Sequence, residues 1–255
     1  MKGSGILLAT LVSLSSAALV YHRANTANET QWVTYGSGEE QVRSYLALPE
    51  GQGPFPAVIV IHEWWGLNDW VQQNTKRLAR EGYIALAVDL YRGSVTDDAE
   101  AAHELMRGLP EDRAMRDLRA AFAYLAGRSD VKKNRIGSVG WCMGGGYSLQ
   151  AAVQIPDLAA CVMNYGRLVT DENLIAQINA PILGIFGGLD RGIPVKDVKA
   201  FEKQLKAMDK EVRVELYSKS GHAFMNENNT KGYNADDAAT AWKKTLAFLA
   251  DHLKK

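Results

Sequence analysis

The stretch Arg135–Gly146 reads RIGSVGWCMGGG: a strand-like run, a glycine, a reactive side chain, then three more glycines. Arg135–Gly140 has the small and apolar character of a strand covered on both faces. The spacing Gly140-Trp141-Cys142-Met143-Gly144 is that of a nucleophile elbow, G-x-nucleophile-x-G, with Cys in place of Ser. A sharp strand-to-helix turn needs small residues two positions before and after the nucleophile. The helix expected over Gly144–Gln154 aims its N-terminus at the sulfur, and that partial positive charge favours thiolate over thiol. The backbone N–H of Met143 would point at a developing oxyanion. Taken alone, the stretch fits equally a buried structural Cys among glycines that permit close packing. The neighbouring elements decide between the two.

Around this stretch, short apolar runs alternate with amphipathic helical patterns. The runs are Ala57–Ile61, Ile84–Val88, Ala159–Asn164, Ile182–Phe186 and Val212–Tyr217. The helical patterns are Trp70–Glu81, Glu100–Arg107, Asp112–Leu125, Val195–Met208 and Asp236–Leu253. In the last, Ala239, Trp242, Leu246, Leu249 and Leu253 form one apolar stripe. Trp32–Leu48 reads as two extended segments around Gly36-Ser37-Gly38. Strands alternating with helices predict an α/β fold, with a mostly parallel, doubly wound sheet and helices on both faces. In such sheets the chemistry lies beyond the C-terminal ends of the strands.

Two more strand ends carry reactive side chains. Ile182–Phe186 leads into Gly187-Gly188-Leu189-Asp190, and Val212–Tyr217 leads to Ser220-Gly221-His222-Ala223-Phe224. The order nucleophile, acid, His is that of the α/β-hydrolase triad. A lone turn Asp is ordinary turn chemistry, and a lone His is often a surface residue, but three in this order favour catalysis. Cys142 is then the nucleophile, His222 the base and later the acid, and Asp190 the group that orients the imidazole. A fourth strand end, after Ala57–Ile61, reads His62-Glu63-Trp64-Trp65-Gly66. Zinc would need H-E-x-x-H, and Gly66 occupies the place of the second His, so no metal or cofactor is expected. The amide of Trp64 is the candidate for the second oxyanion-hole donor. Trp65, Trp141 and Phe224 are expected to line the substrate pocket, and His62 to be a hydrogen-bonded core residue.

Composition narrows the function further. The 255 residues hold 29 Lys+Arg and 29 Asp+Glu, a net charge of zero, with 47% hydrophobic residues and two Cys. Such a chain is too apolar for disorder and too poor in Cys for a disulfide scaffold. With no basic stripe, it gains little from counterion release on nucleic acid. A small-molecule task and a monomer are expected.

Gly5–Tyr21 is almost wholly apolar or small, after Lys2 and before His22 and Arg23. Residues 1–23 are expected to be a cleaved secretory leader, and hence a sign of export, with a retained membrane anchor as the alternative. Residues 24–31 read as a spacer and residues 32–255 as a single α/β-hydrolase domain. Asn28-Glu29-Thr30 and Asn228-Asn229-Thr230 fit the N-glycosylation pattern. Cys161 lies near the start of its strand and Cys142 past the end of its own. Their separation, on the order of 10 Å or more, argues against a redox pair.

With Glu63, Cys142, Asp190 and His222 placed, the chain resembles the dienelactone hydrolase family (carboxymethylenebutenolidases and relatives). The resemblance runs from about Val42 to the C-terminus and is most specific at His62–Gly66, Val88–Tyr91, Gly140–Gly145 and Gly221–Phe224. It implies an α/β-hydrolase fold, a Cys-His-Asp triad, and hydrolysis of small esters or lactones through a thioester acyl-enzyme. It also implies that Glu63 pairs with the resting thiol and helps activate it when substrate enters. Dienelactone-cleaving members grip a substrate carboxylate with Arg, one of them shortly after the catalytic His. Here Ala223-Phe224-Met225-Asn226-Glu227 and the helix around Asp98–Glu104 contain no Arg. The resemblance therefore carries the reaction type better than the substrate.

Overall fold

The structure is a computed structural model that describes residues 29–255. The expected leader, and all of the spacer before Glu29, lie outside these residues. The described chain begins with a hairpin of β1 (Thr30–Ser37) and β2 (Glu40–Ala47), so Thr30 and Gln31 belong to a strand and not to the spacer. The central strands are β3 (Phe55–Ile61), β4 (Ile84–Val88), β5 (Val131–Trp141) and β6 (Ala160–Asn164). Strands β7 (Ile182–Gly187) and β8 (Val212–Tyr217) complete the sheet. The helices between them are α1 (Asp69–Arg80), α2 (Ala99–Arg107), α3 (Glu111–Ala126) and α4 (Met143–Gln154). After these come α5 (Glu172–Ala176), α6 (Val195–Ala207) and α7 (Ala235–Leu253).

The eight strands pair in the order β1-β2-β4-β3-β5-β6-β7-β8, antiparallel as far as β4 and parallel from there to β8. Strands β4, β6 and β7 are buried at every residue, because helices cover both faces of the parallel part. One apolar layer joins residues of α1 and α7, including Trp70, Leu78, Trp242 and Leu249, to the sheet. The opposite layer joins those of α3, α4 and α6, including Leu118, Leu125, Leu149 and Phe201. Register fixes the catalytic edge: Ile61 of β3 lies beside Gly140 of β5, and Trp141 beside Asn164 of β6. Besides small shifts at other element ends, β5 and α5 differ from the sequence expectation. Strand β5 begins four residues earlier, at Val131, because its polar start, Lys132–Asn134, projects beyond the helical layers. Helix α5 has only five residues, too few to show a period. No helix among the described residues is long and apolar enough to cross a membrane.

Candidate active site

Cys142 sits between β5 and α4 with φ 54° and ψ −117°, a conformation that a side chain adopts only under constraint. The constraint comes from both flanks. The Cys142 amide donates to the Asn164 carbonyl at 3.0 Å, and the amides of Gly145 and Gly146 donate to the Cys142 carbonyl at 3.0 and 3.2 Å. A Cβ at Gly140 would collide with the Gly144 carbonyl, and one at Gly144 with the carbonyls of Ile61 and His62. The glycines are thus required by the closeness of α4 to β3 and β5. The turn leaves the sulfur partly exposed at the head of α4.

His222 joins the other two groups. Its Nε2 lies 3.1 Å from Cys142 Sγ, and its Nδ1–H donates to Asp190 Oδ2 at 2.7 Å. The amides of Gly192 and Ile193 donate to Asp190 Oδ1 at 2.8 and 3.1 Å, which fixes the carboxylate in its turn. Burial alone would lower the His222 pKa, but the bonds to Asp190 and Cys142 outweigh it and raise the value to about 10. Burial alone would likewise raise Asp190, yet the bonds from His222 and the two amides hold it below the ordinary range.

Glu63 is buried beside this trio. Its Oε2 accepts a 2.6 Å hydrogen bond from Asn226 Nδ2, and Asn226 Oδ1 is itself committed to the Asn228 amide. Among the described residues, neither Glu63 Oε1 nor the buried Tyr165 hydroxyl completes a hydrogen bond. Burial pushes the Glu63 carboxyl up to about 7, against opposing contributions from Asn226, His222 and Tyr165. This corrects one implication of the resemblance: the hydrogen-bonded partner of the sulfur is His222, and that of Glu63 is Asn226. His62 donates from Nδ1 to the Glu63 carbonyl at 2.6 Å and accepts the Leu90 amide at Nε2 at 3.2 Å. Both ring nitrogens are used, and burial lowers its pKa, so it packs as a neutral core residue.

A cleft of about 920 Å³ opens over Cys142 and His222. Trp64 and Trp65 line it from the loop after β3, and His103 and Met106 from α2. Asn226, Asn228, Asn229, Thr230 and Lys231 line it from the loop after β8. Two expected pocket residues are elsewhere. Trp141 is buried under the sheet edge with its ring 5.2 Å from that of Trp70. Phe224 is buried between Tyr165 and Tyr217, at 5.7 and 5.1 Å. Strand alternation turns Trp141 into the α1/α7 layer, and the positive φ of Ala223 (56°) turns the chain inward at Phe224. Met143 is the first residue of α4, so its amide is one of the unpaired donors of a helix start. Its Sδ accepts from the Tyr91 hydroxyl at 3.1 Å. Cys161 is fully buried, bonded through Sγ to the Ser148 carbonyl, and burial pushes its thiol up to about 11. Neither Cys is in a disulfide.

Sequence reasoning missed Asn226, His103, Met106, Lys231 and Tyr165. For Asn226 the only available signal was its place four residues after His222.

A mostly parallel eight-stranded sheet with these side chains at its C-terminal edge defines an α/β-hydrolase. Within that class the chain belongs to the dienelactone hydrolase family, whose family model matches residues 42–253, and it is a hydrolase of that type. It is 32% identical over 217 residues to a Methylorubrum extorquens protein named "Putative carboxymethylenebutenolidase", covering 80% of this chain and 74% of that one. A Bradyrhizobium protein named "Probable 2-oxo-3-(5-oxofuran-2-ylidene)propanoate lactonase" is 32% identical over 235 residues, covering 87% and 94%. Among solved structures, one titled "Putative Dienelactone Hydrolase", from Klebsiella pneumoniae, superposes with a TM-score of 0.81 at 29% identity. That match covers 88% of this chain and 99% of the other.

Proposed function

We propose that this hydrolase cleaves small carboxylic esters or lactones through a Cys142-His222-Asp190 triad and a thioester intermediate. The observation that carries the reading is the continuous chain from Sγ through the imidazole to a fixed carboxylate, at 3.1 and 2.7 Å. His222 Nε2 takes the thiol proton, and Asp190 stabilises the resulting imidazolium, in line with the raised His222 pKa. The thiolate attacks the carbonyl carbon, and the amides of Met143 and Trp64 receive the negative oxygen. Collapse breaks the C–O bond, His222 returns its proton to the departing alkoxide, and the acyl group remains on Cys142 as a thioester. Water, deprotonated by the same Nε2, attacks the thioester. The second collapse releases the acid, and the sulfur regains its proton from His222. Glu63 acts on the charge of the pair, because its carboxyl and the imidazole of His222 interact electrostatically.

Cys142→Ala should abolish turnover of short activated esters, and His222→Gln should lower kcat/KM by at least about 10³. Mass spectrometry after mixing with an activated ester should place the acyl group on Cys142. Full activity in Cys142→Ala would sink the proposal.

A further inference from the structure

The cleft is not uniform in chemistry, and the triad decides which half of an ester meets which part of it. The proton for the leaving group comes from His222 Nε2, and His222 belongs to the loop after β8. The alcohol half must therefore lie on the His222 side of the sulfur. The acyl half then points the other way across Cys142, because β3 and β4 lie on the far side of β5 from β8. There it meets Trp64, Trp65, His103 and Met106. The Trp64 ring is fixed on two sides, 4.7 Å from Trp65 at 60° and 4.7 Å from His103 at 89°. Neither Trp is fully buried, so aromatic surface faces the cleft. Covering it favours a flat apolar group.

Charge limits that group further. Among the described residues, the cleft is lined by Glu63 and Asp97 and by one Lys, Lys231, with no Arg. Lys231 is exposed, so solvent screens it. A carboxylate on the acyl group would lose water against the tryptophans without gaining a buried cation.

We infer that the site selects esters whose acyl half is a flat, uncharged aromatic ring seated against Trp65, and discriminates against the same ring bearing a carboxylate. This rests on the Cys142 acyl-transfer reading. The test compares p-nitrophenyl acetate, p-nitrophenyl benzoate and p-nitrophenyl 4-carboxybenzoate, each rate divided by that of hydroxide with the same ester. The intact protein should favour benzoate over its carboxylated form by at least about 10-fold in kcat/KM. Trp65→Leu should lower the benzoate-to-acetate ratio by about 10-fold or more, and Trp65→Phe should keep it within about 3-fold of the original. An unchanged ratio in Trp65→Leu overturns the aromatic assignment, and faster cleavage of the carboxylated ester overturns the uncharged one. Absence of an acyl group on Cys142 with all three esters overturns the acyl-transfer reading itself. Normal acyl transfer with no preference among them overturns only this inference.

Discussion

At the residue scale, the position of the sulfur is a consequence of missing side chains. Cys142 holds φ 54° because α4 starts immediately after it and lies against the backbones of β3 and β6. Adding one methyl at Gly144 would drive it into the carbonyls of Ile61 and His62. Backbone cannot rotate away as a flexible side chain can, so Gly144→Ala should cost about 3 kcal/mol. For a domain of this size that is a drop of about 6–12 °C in Tm, measurable by calorimetry. An unchanged Tm would mean that α4 is free to shift. The spacing rule that exposed this constraint also exposed Cys142, Asp190 and His222 in the sequence, since each follows a strand of recognisable pattern. Trp141 and Phe224 escaped it, because proximity in sequence to a reactive residue does not say which face a side chain takes. The Asn226–Glu63 bond escaped for another reason: it joins two loops 163 positions apart, and no local pattern encodes such a contact.

At the scale of elements, the helices that position the chemistry and those that shape the cleft are held very differently. Helix α4 buries seven residues, Gly144, Gly145, Ser148, Leu149, Ala151, Ala152 and Val153, between the sheet and its neighbours. Helix α2, which contributes His103 and Met106 to the cleft, buries only Ala102. Its N-cap, Asp98, receives the Ala101 amide at 2.9 Å, and the preceding loop reaches the site through the Thr96 amide on the Trp65 carbonyl at 3.1 Å. Local opening is governed by such buried contacts. Amides in the last turn of α2 should therefore exchange with deuterium at least about 100-fold faster than those of Ser148–Ala152. Equal protection would show α2 to be part of the rigid scaffold. The sequence showed α2 as a helix, but its apolar period does not reveal how little of it the fold covers.

At the scale of the whole molecule, the charge balance of zero means that substrate is not gathered by a net field, and that single buried carboxyls shape the response to pH. Glu63 is the clearest case, since burial raises it from 4.5 to about 7. A carboxyl with a raised native pKa binds its proton more tightly folded than unfolded. Stability is therefore lost as pH climbs from the unfolded value through the native one. His222, raised to about 10, works in the same direction over a higher window, its contribution present in full below 6.5 and lost as pH rises through 10. Asp190, held low, contributes above 3.8 and loses its contribution in acid. Comparing the native chain with Glu63→Gln leaves His222 and Asp190 common to both and isolates Glu63. The glutamine oxygen can still accept the Asn226 bond, so the pair differs mainly in a titratable proton. Measured by urea denaturation, the native chain should lose about 3 kcal/mol relative to Glu63→Gln between about pH 4 and pH 8. Parallel stability profiles across that range would place an ionised Glu63 in the folded protein at acid pH and overturn its raised value.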